Sequence, residues 1–257
     1  MAAALAVLGV AGAHEVYRLA ERTGVRPLGP AGYLGAALLP VGAFGMLSRT
    51  LGLAPIGLLI GGTLWFLLVM TIALRLRPPA ARPLSSVAVT VFGVAYAAGL
   101  PTFLLALRHA DTLPTAWAAT WLVFLPLVVT WIGDSLAMAG GRLFGGSKMA
   151  PVLSPNKTWA GACSGAVAGL VVAPLYGALV LGPSGVTIPV WQLAVFGIAV
   201  SIVGQTGDLA ESLFKREAGV KDSGSFFPGH GGVLDRLDSL YWVLPSSVAI
   251  LLLFDVI

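Results

Sequence analysis

Six stretches of this chain, 28–47, 51–74, 84–107, 113–139, 159–182 and 187–207, each run for 20 residues or more with at most one charged side chain. A helix needs about 20 apolar residues to cross a hydrocarbon core of about 30 Å. Backbone in lipid must satisfy its own polar groups, which leaves helices or a closed barrel. A barrel would show short segments of period-2 alternation, and the sequence has none. A water-soluble globule is excluded as well: 57% of the 257 residues are apolar and 10% charged, against about 25% charged in a soluble domain. The expected class is all-α, a polytopic integral membrane protein. Two further runs, 1–17 and 239–257, bring the expected spans to eight. The first 13 residues lack the basic n-region of a cleaved signal, so no cleavage is expected. The single cysteine, Cys163, rules out an internal disulfide and a cysteine-built metal cage.

Positive residues near span ends are retained in the cytoplasm. The odd-numbered connections hold Arg18, Arg22 and Arg26; Arg75, Arg77 and Arg82; Arg142, Lys148 and Lys157; and Lys215, Arg216, Lys221 and Arg236. The even ones hold only Arg49 and Arg108, which makes 13 against 2. The odd connections are therefore expected in the cytoplasm and both termini on the far side. With no internal repeat, one integral domain over 1–257 is expected. Amino-terminal helices would occupy 1–110 and a carboxy-terminal catalytic part 111–257, with cytoplasmic segments 140–158 and 208–238.

The segment 208–238 packs ten of the chain's 26 charged residues, six acidic and four basic, into 31 positions. On a helix continuing from the seventh span, Asp208, Glu211, Ser212 and Lys215 stand at i, i+3, i+4 and i+7, one face. Asp235 and Asp238 share a face in the same way. Carboxylates at span ends are expensive and mark function. Two such helix ends at one depth could converge on hard cations, which take oxygen ligands and share them with substrate phosphates. Lys215, Arg216, Lys221 and Arg236 are suited to those phosphates. His230 sits in a Pro228-Gly-His-Gly-Gly turn, with no i+4 partner for a zinc pair. Gly231 and Gly232 beside it would allow close approach to a ligand.

The companion segment starts from Asp134 at the end of the fifth span. It continues through Gly140-Gly141-Arg142, Gly145-Gly146, Lys148 and Ser154-Pro155-Asn156-Lys157-Thr158-Trp159. From Gly140 to Thr158 it holds three cations and no acid, which suits an anion-binding loop. The spacing is not that of a Walker loop. Ser154-Pro155 reads as a turn or N-cap before the sixth span, and Trp159 as an interfacial anchor.

Ser212, Lys215-Arg216, Lys221-Asp222, Pro228, His230-Gly231-Gly232, Asp235-Arg236 and Asp238 together resemble the signature of the phosphatidate cytidylyltransferases, or CDP-diacylglycerol synthases. The segment from Asp134-Ser135 to Ser154–Trp159 is similar to that family too, as is the stretch Glu15-Val16-Tyr17-Arg18. Ala160 stands where relatives often have an acid. The resemblance implies condensation of CTP with phosphatidate to CDP-diacylglycerol and pyrophosphate in phospholipid biosynthesis. It also implies a requirement for Mg²⁺, in up to two cation sites of which one could be monovalent. The implied catalytic residues are Asp208, Asp235, Lys215, Lys221, Asp222 and Asp238. The implied substrate-binding residues are Asp134, Arg142, Lys157, Ser212, Arg216, His230, Gly231, Gly232 and Arg236, and the metal set is Asp208, Glu211, Asp235 and Asp238. CTP, phosphatidate and the bilayer are the expected partners, with no nucleic acid and, from the family's habit, a homodimer. The expected location is the cell's inner (cytoplasmic) membrane, crossed several times, with the site facing the cytoplasm. Two rivals remain at this stage: a CTP-using enzyme for another lipid phosphate, and a transporter, which would place its carboxylates near mid-span.

Overall fold

The computed structural model describes residues 1–49, 55–226, 229 and 231–257. Among them the chain forms eight long helices: α1 (Ala2–Arg22), α2 (Gly29–Leu47), α3 (Pro55–Leu76), α4 (Pro83–Arg108), α5 (Ala116–Phe144), α6 (Trp159–Leu181), α7 (Val190–Glu217) and α8 (Val233–Leu253). A two-stranded antiparallel hairpin, β1 (Lys148–Ala150) and β2 (Ser154–Thr158), lies between α5 and α6. Seven helices, all but α1, are long and apolar enough to cross a membrane. The last turns of α1 hold Glu15, Arg18, Glu21 and Arg22, which makes that half polar.

The chain divides into two compact units, one of Met1–Leu105 with Phe214–Leu237, the other of Ala106–Leu213 with Asp238–Ile257. In the first unit α1, α2 and α4 pack on one another, and α3 packs on α2 and α4. Their polar anchor is Tyr17, whose hydroxyl donates to the Thr90 carbonyl at 2.8 Å. Gly32 and Gly93 admit the ring, since a Cβ at either would overlap it. Thr90 Oγ1 accepts from the Leu28 amide at 2.8 Å and donates to the Ser86 carbonyl at 2.7 Å. Thr90→Val is therefore expected to orphan the buried Leu28 N–H at a cost of about 1–3 kcal/mol. A lowered unfolding midpoint in detergent would show it, and an unchanged midpoint would contradict it. The π-turn Ala95–Gly99 in α4 has a cause in Pro101, which lacks an N–H and crowds the preceding turn.

In the second unit small residues set the helix crossings, as expected where lipid removes the hydrophobic drive between helices. A Cβ on Gly169 or Gly197 would strike the other's carbonyl, so α6 and α7 touch backbone to backbone there. Ser201 Oγ adds a hydrogen bond to the Gly165 carbonyl at 3.0 Å. On α5, a Cβ at Gly140 would overlap Ser164 of α6, and one at Gly141 would press on Thr158 Oγ1. These two glycines are thus helical packing positions, and α5 runs on to Phe144 rather than stopping at 139. Only Gly145 (φ 60°) and Gly146 (φ 91°) leave the helix in the left-handed region.

Two other boundaries differ from the sequence reading. Ser154 begins β2, and the N-cap of α6 is Thr158, whose Oγ1 accepts from the Gly161 amide at 3.1 Å. The last helix starts at Val233 rather than 239, because its polar first turn is held by the capping contacts described below.

Candidate active site

Within the second unit, Lys157 at the end of β2 reaches Asp208 of α7. Its Nζ lies 2.7 Å from Asp208 Oδ2 and 3.3 Å from the Gln205 carbonyl. Asp134 on α5 lies within the electrostatic reach of both Asp208 and Lys157. Asp134 also lines a narrow crevice together with Thr130, Gly133, Ser201, Gly204 and Gln205. The expected face on α7 is visible in Ser212, whose hydroxyl points to Asp208 Oδ1 at 3.4 Å one helical turn away. Glu211, on the same helix, is fully buried. Gly207 lets α8 approach: a Cβ there would come within 2.9 Å of the Asp238 carbonyl and of the Trp242 ring. Asp208 and Asp238 therefore stand at one helix crossing. Asp238 Oδ1 accepts from the Ser239 amide at 2.6 Å. Arg142 is exposed in the last turn of α5.

Within the first unit, the end of α7 is stopped by Gly219 (φ 69°), with Val220 N–H bonded to the Lys215 carbonyl and Gly219 N–H to that of Arg216. That is a Schellman ending. It leaves Lys215 facing Asp235, with Nζ 2.7 Å from Oδ1 and the two side chains only 12% and 8% exposed. Asp235 Oδ2 accepts from Ser223 N at 2.8 Å and Gly232 N at 2.8 Å, and the Ser223 hydroxyl lies 2.9 Å from it. Gly231 (φ 83°) supplies the turn before it. Arg216 donates to the Val220 carbonyl at 2.9 Å, while Lys221, Asp222 and Arg236 are exposed. His230 and Pro228 lie outside the described residues. One contributor was absent from the expected site. Glu15 of α1 is 5% exposed and takes bonds from Val233 N, Leu234 N and Ser223 Oγ at 2.9, 2.9 and 2.8 Å. Its signals in the sequence are an acid at the end of an apolar run and the likeness of Glu15-Val16-Tyr17-Arg18 to the family, neither of which says what it touches.

Among the described residues, no three carboxylates, imidazoles or thiols are close enough to form a metal cage. The donor chemistry still suits a hard cation that shares its shell with phosphates, since such a cation needs only one or two protein carboxylates. Asp208 fits that role: its partner is already a cation, Lys157, and Asp238 stands at the same crossing. At Asp235 two backbone amides and a shared hydroxyl surround Oδ2, so a metal could reach only Oδ1, in exchange for Lys215.

These features define a multi-pass helical membrane protein with carboxylate–ammonium pairs, one half-buried and one buried, at the ends of its spans. The chain belongs to the cytidylyltransferase family, whose profile it matches over residues 1–254. It is 44% identical over 160 residues to a protein of Brucella abortus named phosphatidate cytidylyltransferase, covering 62% of this chain and 54% of that one. It is 46% identical over 123 residues to a protein of the same name from Staphylococcus saprophyticus, covering 48% and 46%. The matches thus span about half the length of these curated relatives.

Proposed function

We propose that the protein condenses CTP with phosphatidate to give CDP-diacylglycerol and pyrophosphate, at the cytoplasmic face of a bacterial inner membrane. The observation that carries the reading is the pair of ionic contacts, the half-buried Lys157–Asp208 and the buried Lys215–Asp235, in which Lys157, Lys215 and Asp235 belong to the segments that resemble the family. The relatives' name supplies the substrates. A phosphatidate oxygen forms the new bond to the α-phosphorus of CTP, and the bond from that phosphorus to the bridging α–β oxygen breaks, releasing pyrophosphate. The attacking oxygen already carries charge, so orientation and charge neutralisation supply the rate rather than a strong base.

Lys215, Arg216, Lys221 and Arg236 would neutralise phosphate oxygens, while Asp134, Arg142 and Lys157 orient a substrate. Mg²⁺, held by Asp208 with Asp238, would supply Lewis-acid stabilisation of the triphosphate. In its own unit Asp235 could offer a cation Oδ1, in exchange for Lys215. Glu211 completes the proposed metal set, and Asp222, Ser212, His230, Gly231 and Gly232 complete the substrate contacts. The test is purified protein in mixed micelles with phosphatidate, Mg²⁺ and CTP, with ATP and GTP in parallel. A CDP-lipid from CTP alone, lost with chelator, is expected; product from no nucleotide in a folded sample would overturn the proposal.

The orientation has its own test. A cysteine at Gly146, where a side chain meets open space, in a chain lacking Cys163, is expected to react with an impermeant thiol reagent only from the cytoplasmic side. Labelling from outside would reverse the topology.

A further inference from the structure

We infer that Glu15, in the first helix, is a positioning residue for the signature loop: it stands in for the side chain that the glycine N-cap of α8 lacks, and through that cap it sets Asp235. The inference rests on the proposed role of residues 215–238 in the reaction.

A helix start leaves backbone N–H groups without partners, and an N-cap side chain normally takes one of them. At α8 the N-cap is Gly232, which has no side chain to give. Its own N–H goes to Asp235 Oδ2 at 2.8 Å, the half of a capping box in which the third helical residue reaches back to the cap. The other half comes from α1. Glu15 Oε1 accepts from Val233 N and Glu15 Oε2 from Leu234 N, both at 2.9 Å, across more than 200 residues of sequence. Both carboxylates sit where the helix dipole favours negative charge. The Ser223 hydroxyl lies 2.8 Å from Glu15 Oε2 and 2.9 Å from Asp235 Oδ2. Its single proton serves one of them at a time, so it couples their positions.

The glycine and the acid require each other. A Cβ on Gly232 would strike both Glu15 oxygens and Ser223 Oγ, and Gly232 is not among the glycines with positive φ. The second glycine of the His-Gly-Gly turn is therefore there for room, not for backbone freedom. Gly224 yields to the same carboxylate, with a Cβ placed 2.7 Å from Oε1.

The experiment compares Glu15→Ala with the isosteric Glu15→Gln. Two readouts are taken on the folded fraction: kcat and KM for CDP-lipid formation, and the rate of tryptic cleavage after the exposed Lys221. Both variants are expected to lower kcat about tenfold or more while KM for phosphatidate stays within about twofold, and to speed cleavage at Lys221. Wild-type kcat and cleavage in Glu15→Gln, or a fall in kcat with cleavage at Lys221 unchanged in both variants, would overturn the inference. If the wild-type protein makes no CDP-lipid, the proposed function fails, and the cleavage series alone decides the role of Glu15.

Discussion

Asparagine in place of Asp235 is expected to reduce turnover by about a thousandfold, or about 4 kcal/mol of transition-state stabilisation, while the protein still inserts and folds. Oδ1 holds the Lys215 ammonium at 2.7 Å, and Oδ2 holds the amides of Ser223 and Gly232. An amide side chain has one acceptor oxygen and one NH₂ group. Either the ammonium faces that NH₂ and Lys215, 12% exposed, loses its counter-charge, or the two backbone amides lose their acceptor. Removing one partner of a buried charge pair is far costlier than the pair's net worth. Volume is unchanged, so the elution profile in detergent should match the wild type. Retention of more than about a tenth of wild-type kcat/KM would remove Asp235 from the reaction.

Asp208→Asn is expected to lower kcat/KM by about a hundredfold to a thousandfold, for a different reason. Its Oδ2 is the carboxylate on Lys157, and Asp208 is the first candidate for a shared metal ligand. The discriminating readout is the Mg²⁺ titration, in which the half-saturating concentration should rise about tenfold or more if Asp208 is a ligand. An unchanged Mg²⁺ midpoint with lowered turnover would leave Asp208 as a partner of Lys157 alone.

The spans were legible because hydropathy and length act locally: helices α2 to α7 begin within about four residues of the expected starts, inside the usual boundary error. The α7 face was legible for the same reason, since i and i+4 residues share a side of any helix, and Ser212 does meet Asp208. Glycine was harder to read. Gly140-Gly141 carries the same letters whether it frees a loop or admits a neighbouring helix, and only the approach of Ser164 and Thr158 decides it. The start of α8 was hidden because its capping group is supplied from elsewhere in the chain. Cap signals are searched for next to the helix, and Glu15 is separated from Leu234 by 219 positions. The ionic pairs fall between these cases: each cation and carboxylate was picked out, but the partnering of Lys215 with Asp235 and of Lys157 with Asp208 is a tertiary fact.

The central claim is nucleotidyl transfer from CTP to a lipid phosphate, and the position of the label tests it most directly. Purified protein would be given phosphatidate, Mg²⁺ and CTP carrying ³²P at either the α or the γ phosphorus. The α-label is expected to enter the lipid and the γ-label to leave as pyrophosphate in equal amount, with neither transfer in the presence of chelator. Label from the γ position appearing in lipid, or CTP hydrolysed with no labelled lipid at all, would contradict it.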